Sequence, residues 1–369
     1  MMATSEGIEQ GYAYRLKNKR SGLYLTSSGF EGDSYATIWK SESGGQARTS
    51  QTWNVLSLDN GEYLIAQKVA GNLLTPDNFA GHDVRVNLFP PQNGADSSVR
   101  NSQTWLLRQA GGGYYTLSNK NGGLFLTPNN FGTSGSDKVN TYWRASGTDG
   151  DSQLWLLEKD TAYSGIINAA VGPTGNAVGG VIRMSGHARP NPETTPEVLI
   201  GTTLLPFPLV SDPALGRARQ AAESPYYLLK RYGYYKIVYY YEHSGQVSKK
   251  ESQSTTIGVT TSNAREVETT TSISVTAETS FQYKGFSSSL STTISHQLRT
   301  RVAQETTQSS NRTVTVEREY PANGNRLSQA IWFRADRYVL ERAGGGKVTE
   351  WETTTDQDTV DDVYPVATN

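Results

Sequence analysis

Cysteine is absent from the 369 residues, so neither a disulfide framework nor thiol chemistry is open to this chain. Histidine is scarce. Its four copies, His82, His187, His243 and His296, are scattered, and neither a His-x-x-x-His pair nor a Gly-x-Ser-x-Gly elbow occurs. With no carboxylate motif in a supporting context either, no catalytic constellation, metal site or cofactor is expected. Net charge is nearly missing too: 34 Lys plus Arg against 35 Asp plus Glu leave −1, which gives no electrostatic reason to expect a nucleic-acid partner. No run reaches the roughly eighteen apolar residues of a spanning helix. Met1 to Gln10 lacks a basic region followed by an apolar core, so no signal peptide is read and the chain is expected to be made soluble, free or as an inclusion, in the producing cell.

Glycine and aromatics are plentiful. The 36 Gly, 21 Tyr and 7 Trp, with a mean hydropathy of −0.54, point to a turn-rich, β-dominated protein of two or three domains. Residues 12 to 158 contain a threefold repeat. Ser50-Gln51-Thr52-Trp53, Ser102-Gln103-Thr104-Trp105 and Ser152-Gln153-Leu154-Trp155 recur at spacings of 52 and 50 residues. Upstream of each lies a Leu-Thr pair, Leu25-Thr26, Leu74-Thr75 and Leu126-Thr127, followed by Phe30, Phe79 and Phe131, then by Trp39, Phe89 and Trp143. Short strands separated by turns such as Pro76-Asp77-Asn78 and Pro128-Asn129-Asn130 would bury a shared core that no single unit could bury alone.

A threefold repeat of about fifty residues ending in Gln-x-Trp resembles the ricin-B-type β-trefoil lectins. The resemblance implies that Trp53, Trp105 and Trp155 are core. Sugar binding in that family uses an Asp after the Leu of the early strand, a stacking aromatic and an Asn before the Gln. This chain has Thr26, Thr75 and Thr127 at the Asp position and Ser50, Ser102 and Ser152 at the Asn position. The strong acceptor for two hydroxyls is gone, so galactose specificity does not carry over, and protein or another glycan is open as ligand. The candidate receptor-binding residues are Trp39, Phe89 and Trp143, with the turn residues Asn78 and Asn130.

Residues 159 to 222 read as loops and edge connections, with a short helix expected within Pro213 to Glu223. Beyond them lie aromatic strands from Tyr226 to Tyr241 and an acidic stretch, Asp356 to Asp362, expected as a solvated tail. Between them, about residues 257–302, polarity alternates. Odd positions carry Ile257, Val259, Val267, Ile273, Val275, Ala277, Phe281 and Tyr283; past Lys284-Gly285 the apolar set moves to even numbers, Phe286, Leu290, Ile294, Leu298 and Val302. Period two predicts strands, and a parity switch over two residues predicts a tight hairpin. A two-residue turn at 284 and 285 sets Val275 opposite Ile294, Glu268 opposite Arg301 and Glu278 opposite Ser291. One apolar face and one Ser/Thr face suit a sheet packed on a second sheet, and equally a transmembrane barrel with lipid outside and water within.

A trefoil followed by a Ser/Thr-rich, long-stranded half with an amphipathic hairpin resembles the aerolysin-type β-pore-forming toxins. Glu223-Ser224-Pro225-Tyr226-Tyr227-Leu228-Leu229 looks like the entry to the pore domain of insecticidal members. The resemblance implies an all-β chain: a β-trefoil over 1–158, then an elongated aerolysin-like pore-forming domain over 159–369. It also implies a protein that is not an enzyme but docks on a cell-surface glycan, glycoprotein or glycolipid, forms a homo-oligomer and inserts its hairpin into the target-cell membrane, with room for a second toxin component. Ile273, Val275, Ala277, Phe281, Tyr283, Phe286, Leu290 and Ile294 would then meet lipid, and Ser274, Thr276, Glu278 and Ser291 the lumen. The competing expectation is a non-lytic lectin or adhesin whose second half is a spacer or oligomerisation domain.

Overall fold

The structure, a computed structural model, describes residues 7–92, 96–163, 174–175, 177–271, 273–275, 280–283, 288–302 and 310–365. The first repeat supplies strands β1 (Tyr12–Asn18), β2 (Tyr24–Ser27), β3 (Ala36–Trp39) and β4 (Trp53–Asp59); the second supplies β5 (Glu62–Gln67), β6 (Leu73–Pro76), β7 (Val84–Phe89) and β8 (Thr104–Gly111). The third supplies β9 (Tyr114–Asn119), β10 (Phe125–Pro128), β11 (Val139–Tyr142) and β12 (Leu154–Ala162), and each repeat sets one short helix before its Gln-x-Trp: α1 (Gly45–Thr49), α2 (Ser97–Ser102) and α3 (Gly147–Asp151). Strands β1, β4, β5, β8, β9 and β12 pair in a closed ring. The hairpins β2–β3, β6–β7 and β10–β11 cap it. This is a β-trefoil, with Trp53, Trp105 and Trp155 fully buried at its centre. Closure leaves the ring no free edge.

The second domain is a six-stranded antiparallel sheet, described further by its strands β13 (Val198–Pro206), β14 (Tyr226–His243), β15 (Lys249–Gly258), β19 (Asn311–Tyr320), β20 (Leu327–Arg342) and β21 (Lys347–Tyr364), in the order β13-β14-β20-β21-β15-β19. The predicted short helix forms as α4 (Arg217–Glu223). The acidic stretch is not a solvated tail: Asp356 to Asp362 belong to β21, where Asp356 meets Arg312, Asp361 meets Arg318 and buried Asp362 accepts from Met184 N. Cationic and backbone donors on neighbouring segments draw these carboxylates into the sheet. Apolar residues of β4 to β6, Leu56, Leu58, Leu64, Ala66 and Leu73, join one buried cluster with Leu204, Leu205, Tyr226 and Leu228 of the second domain. Asn54 Nδ2 donates to Ala221 O at 2.8 Å across the same boundary.

The expected long hairpin is not what the segment forms here. It folds as α5 (Thr261–Thr271), β16 (Ile273–Val275), β17 (Ser280–Tyr283), α6 (Ser288–Leu298) and β18 (Arg301–Val302). The described turn register differs as well, with Ile273 opposite Tyr283 and Val275 opposite Phe281. Ile273, Ser274 and Val275 therefore lie on β16, Phe281 and Tyr283 on β17, and Leu290, Ser291 and Ile294 on helix α6. Thr276, Ala277, Glu278, Lys284, Gly285 and Phe286 lie outside the described residues. The physical reason is spacing: Leu290, Ile294 and Leu298 recur every fourth residue, which lines one face of a helix as well as one face of a strand. All three are buried, with Val267 and Ile273, in the cluster shared with β13 and β14. Fully burying one such side chain is worth roughly 1.5–3 kcal/mol, and that seat selects the helix. Among the described residues no helix is long and apolar enough to cross a membrane.

Candidate receptor-binding and membrane-active sites

The three repeats share one set of internal ties. Trp53, Trp105 and Trp155 each donate Nε1–H to the carbonyl of Leu25, Leu74 or Leu126 at 3.0 Å. Gln51, Gln103 and Gln153 each donate to Thr26, Thr75 or Thr127 Oγ1 at 3.1–3.2 Å. The same amides donate to the carbonyls of Lys40, Pro90 and Trp143, while Gln51, Gln103 and Gln153 Oε1 accept from the backbone of Glu42, Gln92 and Ala145. All three threonines are buried. The residues that replace the lectin aspartates are thus cross-ties between strands, closed to any ligand.

Each repeat also sets two aromatics together at its rim. Phe30 meets Trp39 edge-on at 6.1 Å, Phe79 meets Phe89 at 5.8 Å, and Phe131 meets Tyr142 at 5.3 Å. Hairpin register makes the equivalence plain, because Tyr24 pairs with Trp39, Leu73 with Phe89 and Phe125 with Tyr142. The third partner is therefore Tyr142, and Trp143, chosen from sequence, is the next residue on, just past the end of β11. A one-residue error in register names the wrong side chain, and two adjacent aromatics left the sequence no means to choose between them. Asn78 and Asn130 stand in left-handed backbone (φ 55° and 49°), as does Gly29 (φ 68°) in the first repeat. Asn tolerates that region with little strain, so turn geometry accounts for both. Phe30, Phe79 and Phe131 follow at φ 60°, 63° and 54°, where a bulky residue stores strain.

The segment 261–302 is held on the sheet by identifiable contacts. Helix α6 ends on β13 at Gly201, where a Cβ would lie 2.7 Å from Leu298 Cα and 2.8 Å from Gln297 O. Arg231 on β14 donates to Leu298 O at 3.0 Å and to Arg299 O, capping the helix C-terminus, and its other nitrogen bonds Asp336 at 2.6 Å. A cation there complements the helix dipole. Thr203 Oγ1 bonds Gln297 Oε1 at 2.5 Å, and Thr293 Oγ1 donates to Asp59 of the trefoil at 2.7 Å. At the other end Ser211 N donates to Thr270 O on α5 at 2.9 Å. None of these ties was legible beforehand, since each joins positions far apart in the chain.

A lectin-type trefoil joined to a long-stranded β-sheet with a separately seated amphipathic segment defines the class. Residues 198–366 match the family described as Insecticidal Crystal Toxin, P42, and residues 101–176 match the ricin-type β-trefoil lectin domain. Over these ranges the chain is similar to an insecticidal crystal toxin family and to ricin-B-like lectin domains. Insecticidal crystal protein Cry35Ab1 of Bacillus thuringiensis is 23% identical over 241 residues, 62% of this chain and 55% of that protein. The chain thus aligns with about half the length of this curated relative. The solved structure of Cry35Ab1 superposes with a TM-score of 0.76, at 17% identity, over 97% of this chain and 91% of the other. The matched families are toxins and lectin-like proteins, not enzymes.

Proposed function

We propose that the protein is an insecticidal toxin of the aerolysin type that docks through its trefoil on a cell-surface glycan or glycan-bearing receptor, assembles into a ring of identical subunits and inserts residues 257–302 as β-hairpins into the target-cell membrane. One observation carries the membrane step. Strands β15 and β19 enter and leave the segment, and they pair without a break from Lys249 opposite Tyr320 to Gly258 opposite Asn311. Continued inward one pair at a time, that ladder brings Lys284 opposite Gly285, the tip at which the apolar parity switches. An existing ladder and a sequence pattern thus support one register, in which Ile273, Val275, Ala277, Phe281, Tyr283, Phe286, Leu290 and Ile294 share the lipid face. Ser274, Thr276, Glu278 and Ser291 share the lumen face. A lone hairpin would leave backbone edges that hydrocarbon cannot satisfy, so insertion requires closure by several copies.

The absence of native cysteine makes the test clean. Single cysteines at 273, 274, 275, 290, 291 and 294, labelled with an environment-sensitive dye, should shift to the blue with liposomes at Ile273, Val275, Leu290 and Ile294 but not at Ser274 or Ser291. Residue-by-residue alternation supports the hairpin. Unchanged emission with intact cell binding would favour a non-lytic lectin instead.

A further inference from the structure

The repeats are alike in their ties but unlike where the second meets the third. Strand β7 pairs with β11, Val84 opposite Thr141 and Arg85 opposite Asn140, so the loop entering β7 lies along the third hairpin and delivers His82 and Asp83 to it. The His82 ring stacks on Trp143 at 5.7 Å and 20°, and meets Tyr142 edge-on at 5.3 Å. Even so, 64% of Trp143 is exposed; with one face covered by His82, the opposite face of the indole stays open. Asp83 is fixed by its own backbone, whose N–H donates to Thr141 O at 2.7 Å, and by Asn140 Nδ2, which donates to Oδ1 at 2.8 Å. The Tyr142 hydroxyl and the Asn140 amide hold the Asp83 carboxyl below its ordinary value. That hydroxyl has one proton, and its bond runs to Asn129 Oδ1 at 2.8 Å. Asn140 is therefore the firm donor, and the exposed Asp83 keeps acceptor sites open to water.

The other two junctions lack this combination. By hairpin register, Asp33 and Asn87 occupy the places of Asp83 and Asn140 at the first junction, but Pro90 stands where Trp143 does. At the third, Ser136, Thr37 and Lys40 take the three places. Three equivalent sites are thus not what the surface offers.

We propose that the junction of the second and third repeats is a single carbohydrate site for a neutral hexopyranoside. The C–H face of the sugar rests on the open face of Trp143, which His82 backs from behind, and two adjacent hydroxyls donate to Asp83. An aromatic face receives an apolar surface, and a carboxylate binds hydroxyl donors by charge-assisted bonds. An acidic sugar is disfavoured by the like charge of Asp83. The carboxylate that the early strand lacks is supplied here from the neighbouring repeat. The inference rests on the reading that the trefoil docks on a glycan.

The test is saturation-transfer NMR on the full chain with methyl β-D-galactopyranoside, methyl α-D-glucopyranoside, methyl α-D-mannopyranoside and N-acetylneuraminic acid. Transfer to at least one neutral glycoside is expected, with affinity reduced at least about tenfold by Trp143→Ala and by Asp83→Asn, since a hydrogen bond to a charged group is worth about 1.5–3 kcal/mol. Lys40→Ala, at the equivalent place in the first repeat, should leave it unchanged. Both altered side chains are exposed, so folding is not at stake. Transfer to none of the neutral glycosides, transfer to N-acetylneuraminic acid alone, or undiminished transfer in Trp143→Ala overturns the site. Target-cell binding that persists unchanged in both variants overturns it too, while leaving trefoil docking in place; liposome leakage by the same variants reports separately on the membrane step.

Discussion

Replacing Gly201 by Val should release the amphipathic segment while leaving the sheet in place. A Cβ at this position would lie 2.7 Å from Leu298 Cα and 2.8 Å from Gln297 O. Both are backbone atoms, so no rotamer change relieves the clash. Ordinary contact begins near about 3.5 Å, and the last turn of α6 must therefore move away by most of an ångström. Strand β13 is the less able to yield, because it is paired with β14 from Val198 opposite Gly233 to Pro206 opposite Tyr226. Among the described residues, helix α6 is held by its apolar face, the Arg231 cap and side-chain bonds rather than by a strand ladder. Overpacking of this kind costs roughly 1–3 kcal/mol. With each 1.4 kcal/mol worth a factor of about ten, the undocked population should rise roughly 5- to 150-fold.

Two assays read this directly. The initial rate of dye release from liposomes of target-membrane lipid should increase several-fold, and limited proteolysis within 261–302 should accelerate in parallel. Gly344→Val, where a Cβ would meet nothing within 4 Å, is the control in the same domain and should match the unaltered protein in both. The reasoning is refuted if Gly201→Val, with its thermal midpoint confirming an intact sheet, leaks and is cleaved at unaltered rates.

The converse perturbation is a lock: Asp59→Cys with Thr293→Cys, joined by a short reducible bis-methanethiosulfonate linker across their 2.7 Å contact, should abolish leakage until reductant restores it, and full leakage from the linked form would exclude movement of α6. Gln103→Leu leaves Pro90 O and Gln92 N without the bonds that Gln103 makes, so trefoil stability by denaturant titration should fall by about 3 kcal/mol; a loss under about 0.5 kcal/mol, the size of an ordinary surface change, would mean that the ties are decorative. Glu278, with no charge opposite it in the extended register, should make the pore mildly cation-selective; Glu278→Gln should weaken the reversal potential in planar bilayers and Glu319→Gln should barely alter it. Burial raises the Asp212 carboxyl, but bonds from Arg342, Ala214 N and Tyr227 more than offset this and leave it below its ordinary 3.8. A depressed folded value means stability that is complete above the unfolded pKa and lost as pH falls through the folded one. The denaturant midpoint should therefore hold steady down to about pH 5 and drop below about 4, with a shallower acid limb in Asp212→Asn; an equally steep limb there would remove the pair as its cause.

The trefoil was legible because its signal is repeated: three Gln-x-Trp units at nearly constant spacing fix three hydrogen-bonded tryptophans, whatever each unit's local propensity. Its surface was less so. Trp143 and Tyr142 are neighbours, and nothing in composition says which of them Phe131 will meet. The carboxylate Asp83 went unnoticed because it belongs to one repeat and faces the next. In the second domain the long strands announced themselves by alternation and aromatic content, whereas the acidic stretch was misjudged because Arg312, Arg318 and Met184, which meet its carboxylates, are distant in sequence.

The segment 261–302 failed differently, and the failure bears on mechanism. Leu290, Ile294 and Leu298 satisfy a helix and a strand alike, so their spacing is compatible with two structures, and the surroundings decide between them. An eleven-residue helix is marginal in water by itself, so α6 owes its existence to its seat on β13 and β14. Remove the seat and little local preference holds the helix. The β15–β19 ladder is meanwhile already formed at the foot of the segment, so a strand conformation need only be propagated from it, without the entropic cost of nucleating a new pair. The same residues that bury the segment against the sheet in this fold would then cover the outside of a barrel. Seat and ladder compete for one stretch of chain, which is why a single added methyl-bearing side chain at Gly201 should shift the balance while a substitution away from the seat, such as Gly344→Val, should not.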